Sequence, residues 1–191
     1  EIVKNETLAK ECAYVAFPIE VPGGSFVLDV PGAELVPGRD QVPGSCVDWY
    51  AARRWIDVGS ERFGVLWAGR DVPVVSLGAI GTGRLDERFE QRGTGIFAYA
   101  LNNAWDTNFK ESQGGRLSFR FSLEPHEGPH DPRAAHVFGA AACAPMPATV
   151  VPVGAAHGPV VAGSRLRLDG PGVICESLVP AGDGRGTIAR L

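Results

Sequence analysis

Short apolar runs, bounded by glycine and proline, recur along the chain and predict β-strands. In residues 116–123 every second residue is leucine or phenylalanine and the residues between are arginine or serine, which predicts a half-buried antiparallel strand. In residues 95–101 both alternating sets are apolar, which predicts a strand covered on both sides. Further strands are predicted at residues 12–19, 25–30, 49–58, 62–68 and 72–77, with a hairpin turn at Gly59-Ser60.

A helix signal and further strand candidates follow in the last third of the chain. Asp131-Pro132 is a suitable N-cap and first-turn pair, which predicts a short helix to about Ala142. The pattern as a whole predicts an all-β protein, with a large unit over residues 1–147 and a small unit over residues 148–191. The last residues still have the character of a strand, so we expect the natural protein to continue beyond them. The later strand candidates are residues 149–153, 164–168, 173–178 and 186–191.

Composition supports this picture and excludes several classes of protein. Of 191 residues, 25 are glycine and 15 are proline, and so many helix breakers exclude a helical bundle or coiled coil. The net charge of −4 argues against a nucleic-acid partner, because such a protein needs a basic face to neutralise phosphates. The longest uncharged stretch, residues 134–164, contains four prolines, so we expect no spanning helix and no membrane partner.

The four cysteines are Cys12, Cys46, Cys143 and Cys175. No pair has the C-x-x-C spacing of zinc or thioredoxin-like sites. An even number permits two disulfides, but a chain of this length does not need cross-links to hold its core. We therefore expect four buried free thiols, with two disulfides as the alternative, and the cellular compartment stays open.

Two patterns match chemical motifs by their letters alone. His126-Glu127-Gly128-Pro129-His130 matches the zinc motif H-E-x-x-H, but that motif requires a helix, and its Gly-Pro pair disfavours one. We interpret it as a polar loop and predict no metal site. Residues 78–83 are glycine-rich, but no βαβ pattern surrounds them, so we interpret them as a surface loop. No Ser-His-Asp arrangement or carboxylate pair can be assigned, so no catalytic residue is predicted.

Residues 102–115 differ from the rest of the chain in their chemistry. They combine three asparagines, a glutamine, a threonine and a tryptophan between two predicted strands. Amide and hydroxyl groups can donate and accept at once, as sugar hydroxyls require, and an indole offers a flat apolar face to a sugar ring. The alternative is that the amides satisfy backbone groups and that the tryptophan belongs to the core. The candidate sugar-binding residues are Asn102, Asn103, Trp105, Thr107, Asn108 and Gln113.

The same segment resembles a known family. Residues 97–109, which contain the block Asn-Asn-Ala-Trp-Asp-Thr-Asn, together with residues 113–115 and 119–123, resemble the carboxy-terminal β region of bacterial glycoside hydrolase family 38, the α-mannosidase-like enzymes. Weaker similarity extends to residues 14–19, 67–74 and 172–191. The resemblance covers most of the chain, and its most specific part is the asparagine-rich block.

This resemblance implies an antiparallel β-supersandwich of the galactose-mutarotase-like type over residues 1–147. A small β-sandwich over residues 148–191 would follow, with at most one or two short helices in all. In the family, catalysis belongs to an upstream α/β barrel with an Asp nucleophile, an acid/base carboxyl and a zinc ion. The family's zinc signature, His-x-Asp-Pro-Gly-Trp, has no counterpart here, since His130-Asp131-Pro132 lacks the spacer and the Gly-Trp. We therefore expect no cofactor in this chain and zinc only in the absent barrel.

The resulting expectation is a non-catalytic β-domain fragment of an α-mannosidase-like glycoside hydrolase. Its expected partners are a mannoside-like glycan and the catalytic barrel of the parent protein, with no nucleic acid and no membrane. A free-standing carbohydrate-binding module and a pure scaffold for the barrel are alternatives. A mutarotase-like epimerase is a third, but it needs a general base and acid on inward strands. The four histidines fall in predicted loops and connector after residue 125, which argues against it.

Overall fold

The computed structural model of the chain describes residues 1–80, 86–104, 110–144, 163, 166–170 and 172–191. The chain divides into two compact units, Glu1–Pro145 and Met146–Leu191. The described part of the first unit contains strands β1 (Ile2–Lys4), β2 (Cys12–Phe17), β3 (Ser25–Val30), β4 (Ala33–Leu35), β5 (Tyr50–Ala51), β6 (Ile56–Gly59), β7 (Phe63–Gly69), β8 (Val74–Leu77), β9 (Ile96–Asn102), β10 (Gly115–Leu117) and β11 (Phe121–Glu127), and helix α1 (Pro132–Cys143). The described part of the second unit contains β12 (Ser177–Pro180) and β13 (Thr187–Arg190).

Two antiparallel sheets form the body of the first unit. The five-stranded sheet has the order β11-β7-β6-β3-β4, the four-stranded sheet has the order β2-β9-β8-β5, and β1 pairs with β10 in a separate ribbon. The predicted hairpin connects β6 and β7, in which Gly59 lies opposite Gly64. The all-β antiparallel fold with few helices is therefore confirmed.

The main core lies between these two sheets. Strand alternation places every second residue of each strand on this side, and each fully buried aliphatic or aromatic side chain contributes about 1.5–3 kcal/mol to folding. From the five-stranded sheet the core receives Phe26, Leu28, Ile56, Val58 and Trp67, and from the four-stranded sheet it receives Val75, Leu77, Ile96 and Ala98.

Helix α1 covers the opposite face of the five-stranded sheet. Leu66 and Ala68, which alternate with the core residues of β7, pack with Trp55 against Phe138 of the helix. Gly139 permits this close approach, because a Cβ atom at that position would overlap the indole of Trp55. The five-stranded sheet is thus covered on both faces, by the main core and by α1.

The predicted helix is confirmed, and its cap is the predicted one. The carboxylate of Asp131 accepts from the backbone N–H groups of Arg133 at 2.9 Å and Ala134 at 3.2 Å, and Pro132 follows as the first helical residue. An N-cap of this kind stabilises a helix by about 1 kcal/mol. In the described residues, no helix has both the length and the apolar character needed to cross a bilayer.

The single strand predicted at residues 116–123 is wrong, because the segment divides between two sheets. Its first part is β10, which pairs with β1, and its second part begins β11, which pairs with β7. The chain turns where Asp71 accepts the backbone N–H of Arg120 at 2.8 Å and pairs with its guanidinium at 2.7 Å. The alternation holds as far as Phe121, which packs on the core, but Leu123 is 49% exposed.

The prediction that β9 is covered on both sides holds for one side only. Ile96 and Ala98 are buried in the main core, whereas Phe97 and Tyr99 on the other side are half-buried. This outer face of the four-stranded sheet is therefore open to a further contact.

The cysteines are free thiols, as predicted, but they are not all buried. Cys12 and Cys46 are exposed, and Cys143 and Cys175 are partly buried. The Cys143 thiol donates to the carbonyl of Arg54 at 3.5 Å, which attaches the end of α1 to the segment before β6.

The second unit contains an antiparallel hairpin in its described residues. Val179 pairs with Ile188 and Leu178 with Ala189, and the turn between the strands closes with a 2.9 Å hydrogen bond from Gly184 to Ala181. The predicted strands at residues 173–178 and 186–191 correspond in part to β12 and β13. The candidate at residues 149–153 lies outside the described residues, and residues 166–168 of the candidate at 164–168 are not in a strand.

Candidate functional site

A group of aromatic rings lies on the open outer face of the four-stranded sheet. Tyr14 on β2 is paired in register with Tyr99 on β9, and their rings stack in parallel with centroids 4.4 Å apart. Trp49, just before β5, lies nearly parallel to Tyr99 at 6.3 Å. Its indole Nε1 donates to the hydroxyl of Tyr14 at 3.0 Å. Stacking and hydrogen bonding thus fix the three rings relative to one another.

A hollow of about 660 Å³ lies beside these rings. This volume is within the range of about 300–1,000 Å³ that is typical of small-molecule sites. The lining combines two aromatic rings and three aliphatic side chains with two amides and one ammonium group. We call it the aromatic–amide hollow, and it is lined by Trp49, Val74, Tyr99, Ala100, Leu101, Asn102, Lys110 and Gln113.

A β-bulge shapes the side of this hollow that β9 provides. Ala13 pairs with Leu101 and Tyr14 pairs with Tyr99, so Ala100 between them has no residue opposite. Such a bulge changes the direction of the following side chains. Here it brings three consecutive residues at the end of β9, the last of them Asn102, into the lining of one hollow.

Asn102 and Gln113 are the two predicted sugar-binding residues that the structure places in the hollow. The Oδ1 atom of Asn102 accepts from the backbone N–H of Ala104 at 3.0 Å, a local turn that holds the side chain. Within the described part of the chain, the Nδ2 group of Asn102 and the side-chain amide of Gln113 have no hydrogen-bond partner.

Asn103 occupies a different environment from its neighbour. It is 8% exposed, and its Nδ2 group donates to the carbonyls of Thr7 at 3.2 Å and Ala9 at 3.0 Å. The backbone N–H of Thr7 in turn donates to Ser112 at 2.9 Å. The segment after β1 thus ties together both ends of the asparagine-rich segment, and the amide of Asn103 is engaged in that contact.

The remaining predicted contacts, Trp105, Thr107 and Asn108, lie outside the described residues. Their flanking residues, Ala104 and Lys110, are described, and Lys110 belongs to the hollow.

The charge at the hollow is partly balanced. The ammonium group of Lys110 lies 2.9 Å from the carboxylate of Glu6. The hydrogen bond from Lys110 lowers the pKa of Glu6, which favours the ionised carboxylate. The hollow consequently presents mainly uncharged amides and aromatic rings.

The sequence analysis missed the aromatic part of this site. Tyr14, Trp49 and Tyr99 are far apart in the chain, and only the pairing of β2 with β9 and of β8 with β5 and β9 brings them together. The one available signal was that Tyr99 stands on a predicted strand immediately before the asparagine-rich segment.

A second group of functional side chains lies on the opposite sheet, between the sheet and the segment that precedes α1. The carboxylate of Asp57, which is 1% exposed, receives two imidazole donors. His126 Nε2 lies 3.0 Å from Oδ1, and His130 Nδ1 lies 2.6 Å from Oδ2. The second ring nitrogen of His130 lies 3.3 Å from the carboxylate of Glu34 on β4.

The packing around these rings is specific. His126 lies over the glycines of the β6–β7 hairpin, where a Cβ atom on Gly64 would overlap its ring. The ring of Trp55 lies 5.4 Å from that of His130. Gly128 has φ 75°, a left-handed conformation that glycine adopts without strain. This turn lets His126 on the strand and His130 after it reach the same carboxylate.

Two predictions about these histidines are corrected. His126 lies on strand β11, not in a loop, because Pro125 is tolerated on an edge strand. The argument that its position excludes a mutarotase-like epimerase is therefore wrong for this residue.

His126 and His130, which match the H-E-x-x-H zinc motif in sequence, both hydrogen-bond to the buried carboxylate of Asp57. Among the described residues, no group of three or more His, Cys, Asp or Glu side chains is arranged to hold a metal ion. The absence of helical geometry between His126 and His130 accounts for this, since their rings reach Asp57 from a strand and a turn.

Burial and hydrogen bonding shift the pKa of His130 in opposite directions. Burial lowers the pKa of His130, but the hydrogen bonds to Asp57 and then Glu34 outweigh burial, so the pKa is raised overall. A raised pKa favours the imidazolium, which has a donor on each ring nitrogen.

Comparison of the chain with family models, with curated protein sequences and with solved structures gives no match. The resemblance to glycoside hydrolase family 38 therefore stays a prediction.

Proposed function

We propose that this chain is a non-catalytic β-domain of an α-mannosidase-like glycoside hydrolase, and that the aromatic–amide hollow contacts its saccharide. The observation that carries the proposal is the meeting of aromatic rings and amides in one hollow. Trp49 and Tyr99 lie there beside Asn102 and Gln113, although Trp49 is distant in the chain from the other three.

The chemistry of the hollow suits a neutral saccharide. A sugar ring has an apolar face of C–H groups, which packs on aromatic rings, and hydroxyls at its edge, which both donate and accept. The amides of Asn102 and Gln113 can satisfy such hydroxyls from the protein side. Each hydrogen bond of this kind contributes about 0.5–1.5 kcal/mol, so a few contacts give millimolar binding, for which the binding free energy is about −4 kcal/mol.

In the proposed parent enzyme, bond cleavage belongs to the catalytic barrel. Retaining glycosidases need two carboxyl groups about 5 Å apart across the scissile bond, and we propose that the barrel supplies them together with its zinc. The β-domain would contact the part of the glycan that extends from that site. The polar groups of the hollow then contribute to affinity and not to proton transfer.

A free-standing carbohydrate-binding module is the second candidate. It is favoured by the lining of the hollow, in which aromatic rings and amides of this chain lie together as a sugar site requires. The two candidates predict different behaviour for the chain alone, since a module binds glycan unaided and a domain fragment binds it fully only with the barrel.

The test is a titration of this chain with methyl α-mannoside and α-mannobiose, followed by NMR chemical-shift changes and calorimetry. We expect shifts at Asn102 and the Gln113 side chain, with a dissociation constant of roughly 1 mM. The variant Asn102→Asp keeps the oxygen that accepts from Ala104 but removes the donor group. It should weaken binding about fivefold or more, a loss of about 1 kcal/mol.

Glu61→Gln, in the exposed β6–β7 turn of the other sheet, is the matched control and should bind as the wild type does. Binding that is unaffected by Asn102→Asp and by Trp49→Ala would place the site elsewhere. No binding by the isolated chain to a glycan array would exclude the module. If the parent enzyme that contains the barrel kept its kcat and KM with both substitutions, the hollow would have no role in saccharide binding.

A further inference from the structure

The environment of His130 requires two protons on one imidazole ring. Carboxylate oxygens face both of its nitrogens, Asp57 at 2.6 Å from Nδ1 and Glu34 at 3.3 Å from Nε2. A neutral imidazole has a single N–H, so one nitrogen would direct its lone pair at a carboxylate. Only the imidazolium donates to both partners, and such charge-assisted bonds are about twice as strong as neutral ones.

His130 also connects two strands that are not neighbours in the sheet. Asp57 is on β6 and Glu34 is on β4, with β3 between them in the sheet. The residue that follows His130 is Asp131, which caps α1 through the N–H of Arg133. A contact made by this one ring therefore attaches the start of α1 to two strands of the five-stranded sheet.

We propose that His130 with Asp57 and Glu34 forms a proton-linked clamp, which holds the segment before α1 on the sheet while the ring is an imidazolium and loosens when the ring loses a proton. This device is independent of the saccharide site proposed above. It concerns the opposite sheet and the attachment of the helix.

The other ionisable groups near the clamp include two histidines, His126 and His136, and the His130→Asn variant separates their effect from that of His130. Aspartate, glutamate and arginine keep their charge between pH 6 and 8.5 in ordinary environments, so histidines are the groups whose charge changes there. Burial raises the pKa of the Cys143 thiol, which keeps it neutral over this range. The charged or titratable groups on this side of the sheet include Asp29 and Arg54, which form an ion pair, His126 on β11, Glu34 on β4, and Asp131 and His136 from the α1 segment.

The direction of the pH dependence follows from linkage. The folded-state pKa of His130 is raised above the unfolded value, which is about 6.5 for histidine. The stabilisation is therefore fully present below that unfolded value and is lost as the pH rises through the folded value. The helix attachment should accordingly be tighter at pH 6 than at pH 8.5.

Amide hydrogen exchange tests the clamp at a defined reporter. The backbone N–H of Ala135 donates to the carbonyl of Asp131 at 3.0 Å, so its protection depends on the start of α1. After correction for the intrinsic rate, we expect its protection factor to fall about tenfold from pH 6 to pH 8.5. A tenfold change corresponds to about 1.4 kcal/mol, near the value of a hydrogen bond to a charged group.

His130→Asn is the matched variant, because its amide can donate to Asp57 in place of Nδ1 but does not titrate. In this variant the protection factor should change less than about twofold over the same range. His136→Asn, which changes a half-buried ring beside Arg54, should keep the wild-type dependence. NMR titration supplies a second readout, in which His130 should titrate above its ordinary value and Glu34→Gln should lower that pKa.

Three results would overturn the proposal. His130 could titrate at or below the ordinary histidine value, Glu34→Gln could leave its pKa unchanged, or His130→Asn could retain the wild-type pH dependence of exchange. Because Glu34 has a side-chain exposure of 38%, its replacement by glutamine should not prevent folding, and the titration stays measurable even if His130→Asn is less stable.

Discussion

The two sheets of the first unit use polar side chains in opposite ways. On the outer face of the four-stranded sheet, the amides of Asn102 and Gln113 border an open hollow with donors that have no partner among the described residues. On the outer face of the five-stranded sheet, Asp57, His126 and His130 hydrogen-bond to one another beside the segment that precedes α1. Unused donors in an open hollow are typical of a binding surface, whereas mutually satisfied buried groups are typical of a structural contact.

The largest expected effect comes from replacing a tryptophan in each region. Trp55→Ala removes a fully buried ring from the packing of α1 and should lower the free energy of unfolding by about 3–5 kcal/mol. Trp49→Ala removes a half-buried ring and should lower it by only about 1 kcal/mol, while it abolishes saccharide binding. Urea denaturation and calorimetry measure the two effects. Equal losses of stability would contradict the distinction between the regions.

The next largest effect on stability is expected at Gly139, where helix α1 lies close to Trp55. Gly139→Ala places a methyl group against the Trp55 indole, and overpacking of this kind lowers stability by about 1–3 kcal/mol. Val137→Ala, at an exposed position of the same helix, should change it by less than about 0.5 kcal/mol. Thermal denaturation of the two variants provides the comparison, and an unchanged melting temperature for Gly139→Ala would show that the helix can move aside freely.

The two neighbouring asparagines should separate stability from binding. Asn103→Ala removes two hydrogen bonds, to the carbonyls of Thr7 and Ala9, which should lower the free energy of unfolding by about 1–3 kcal/mol. Asn102→Asp should leave stability within about 0.5 kcal/mol of the wild type and weaken saccharide binding instead. Urea denaturation beside the saccharide titration measures both. If Asn103→Ala folded as stably as the wild type, its amide would not serve the structural role described here.

The smallest effect is expected at an exposed ion pair. The guanidinium of Arg120 hydrogen-bonds to Asp71 and lowers the pKa of that carboxyl to about 2. Because the folded-state pKa is depressed, its stabilisation is present above the ordinary aspartate value of about 3.9 and is lost as the pH falls through the folded value. The wild type should therefore lose stability between pH 4 and pH 2, and Asp71→Asn should lose less over the same range. Between pH 6 and pH 8 the stability of the variant should be nearly constant. Denaturation measured at each pH provides both comparisons.

Local patterns allowed much of the fold to be predicted. The strand Ser25–Val30, the hairpin at Gly59 and the helix capped by Asp131 each depend on residues close together in the chain. Strands β1 and β4 were missed, because three residues give too little periodicity to detect. The single strand predicted at residues 49–58 is wrong, because the segment divides into β5 and β6, which belong to different sheets. The division of residues 116–123 was missed for another reason, since the alternation continues through the change of partner and only Asp71, far away in the chain, fixes the turn.

The candidate sites were predictable only where their residues are adjacent in sequence. Asn102 and Gln113 were found because they lie in one polar segment, and the aromatic rings were not, because strand pairing brings them together. The histidines were noticed for their spacing, but Asp57 lies 69 residues from His126, and no local pattern connects them. The resemblance to a glycoside hydrolase adds a chemical expectation for the segment and gives no information about these long-range contacts.

The contacts between the first residues and the asparagine-rich segment have a consequence for how the protein folds. Thr7 and Ser112 are 105 residues apart, so their hydrogen bond closes a long loop, and contacts between distant residues form slowly. During synthesis the first residues leave the ribosome long before their partner does. We therefore expect the edge that carries the aromatic–amide hollow to be among the last parts to form, after the central hairpin has folded.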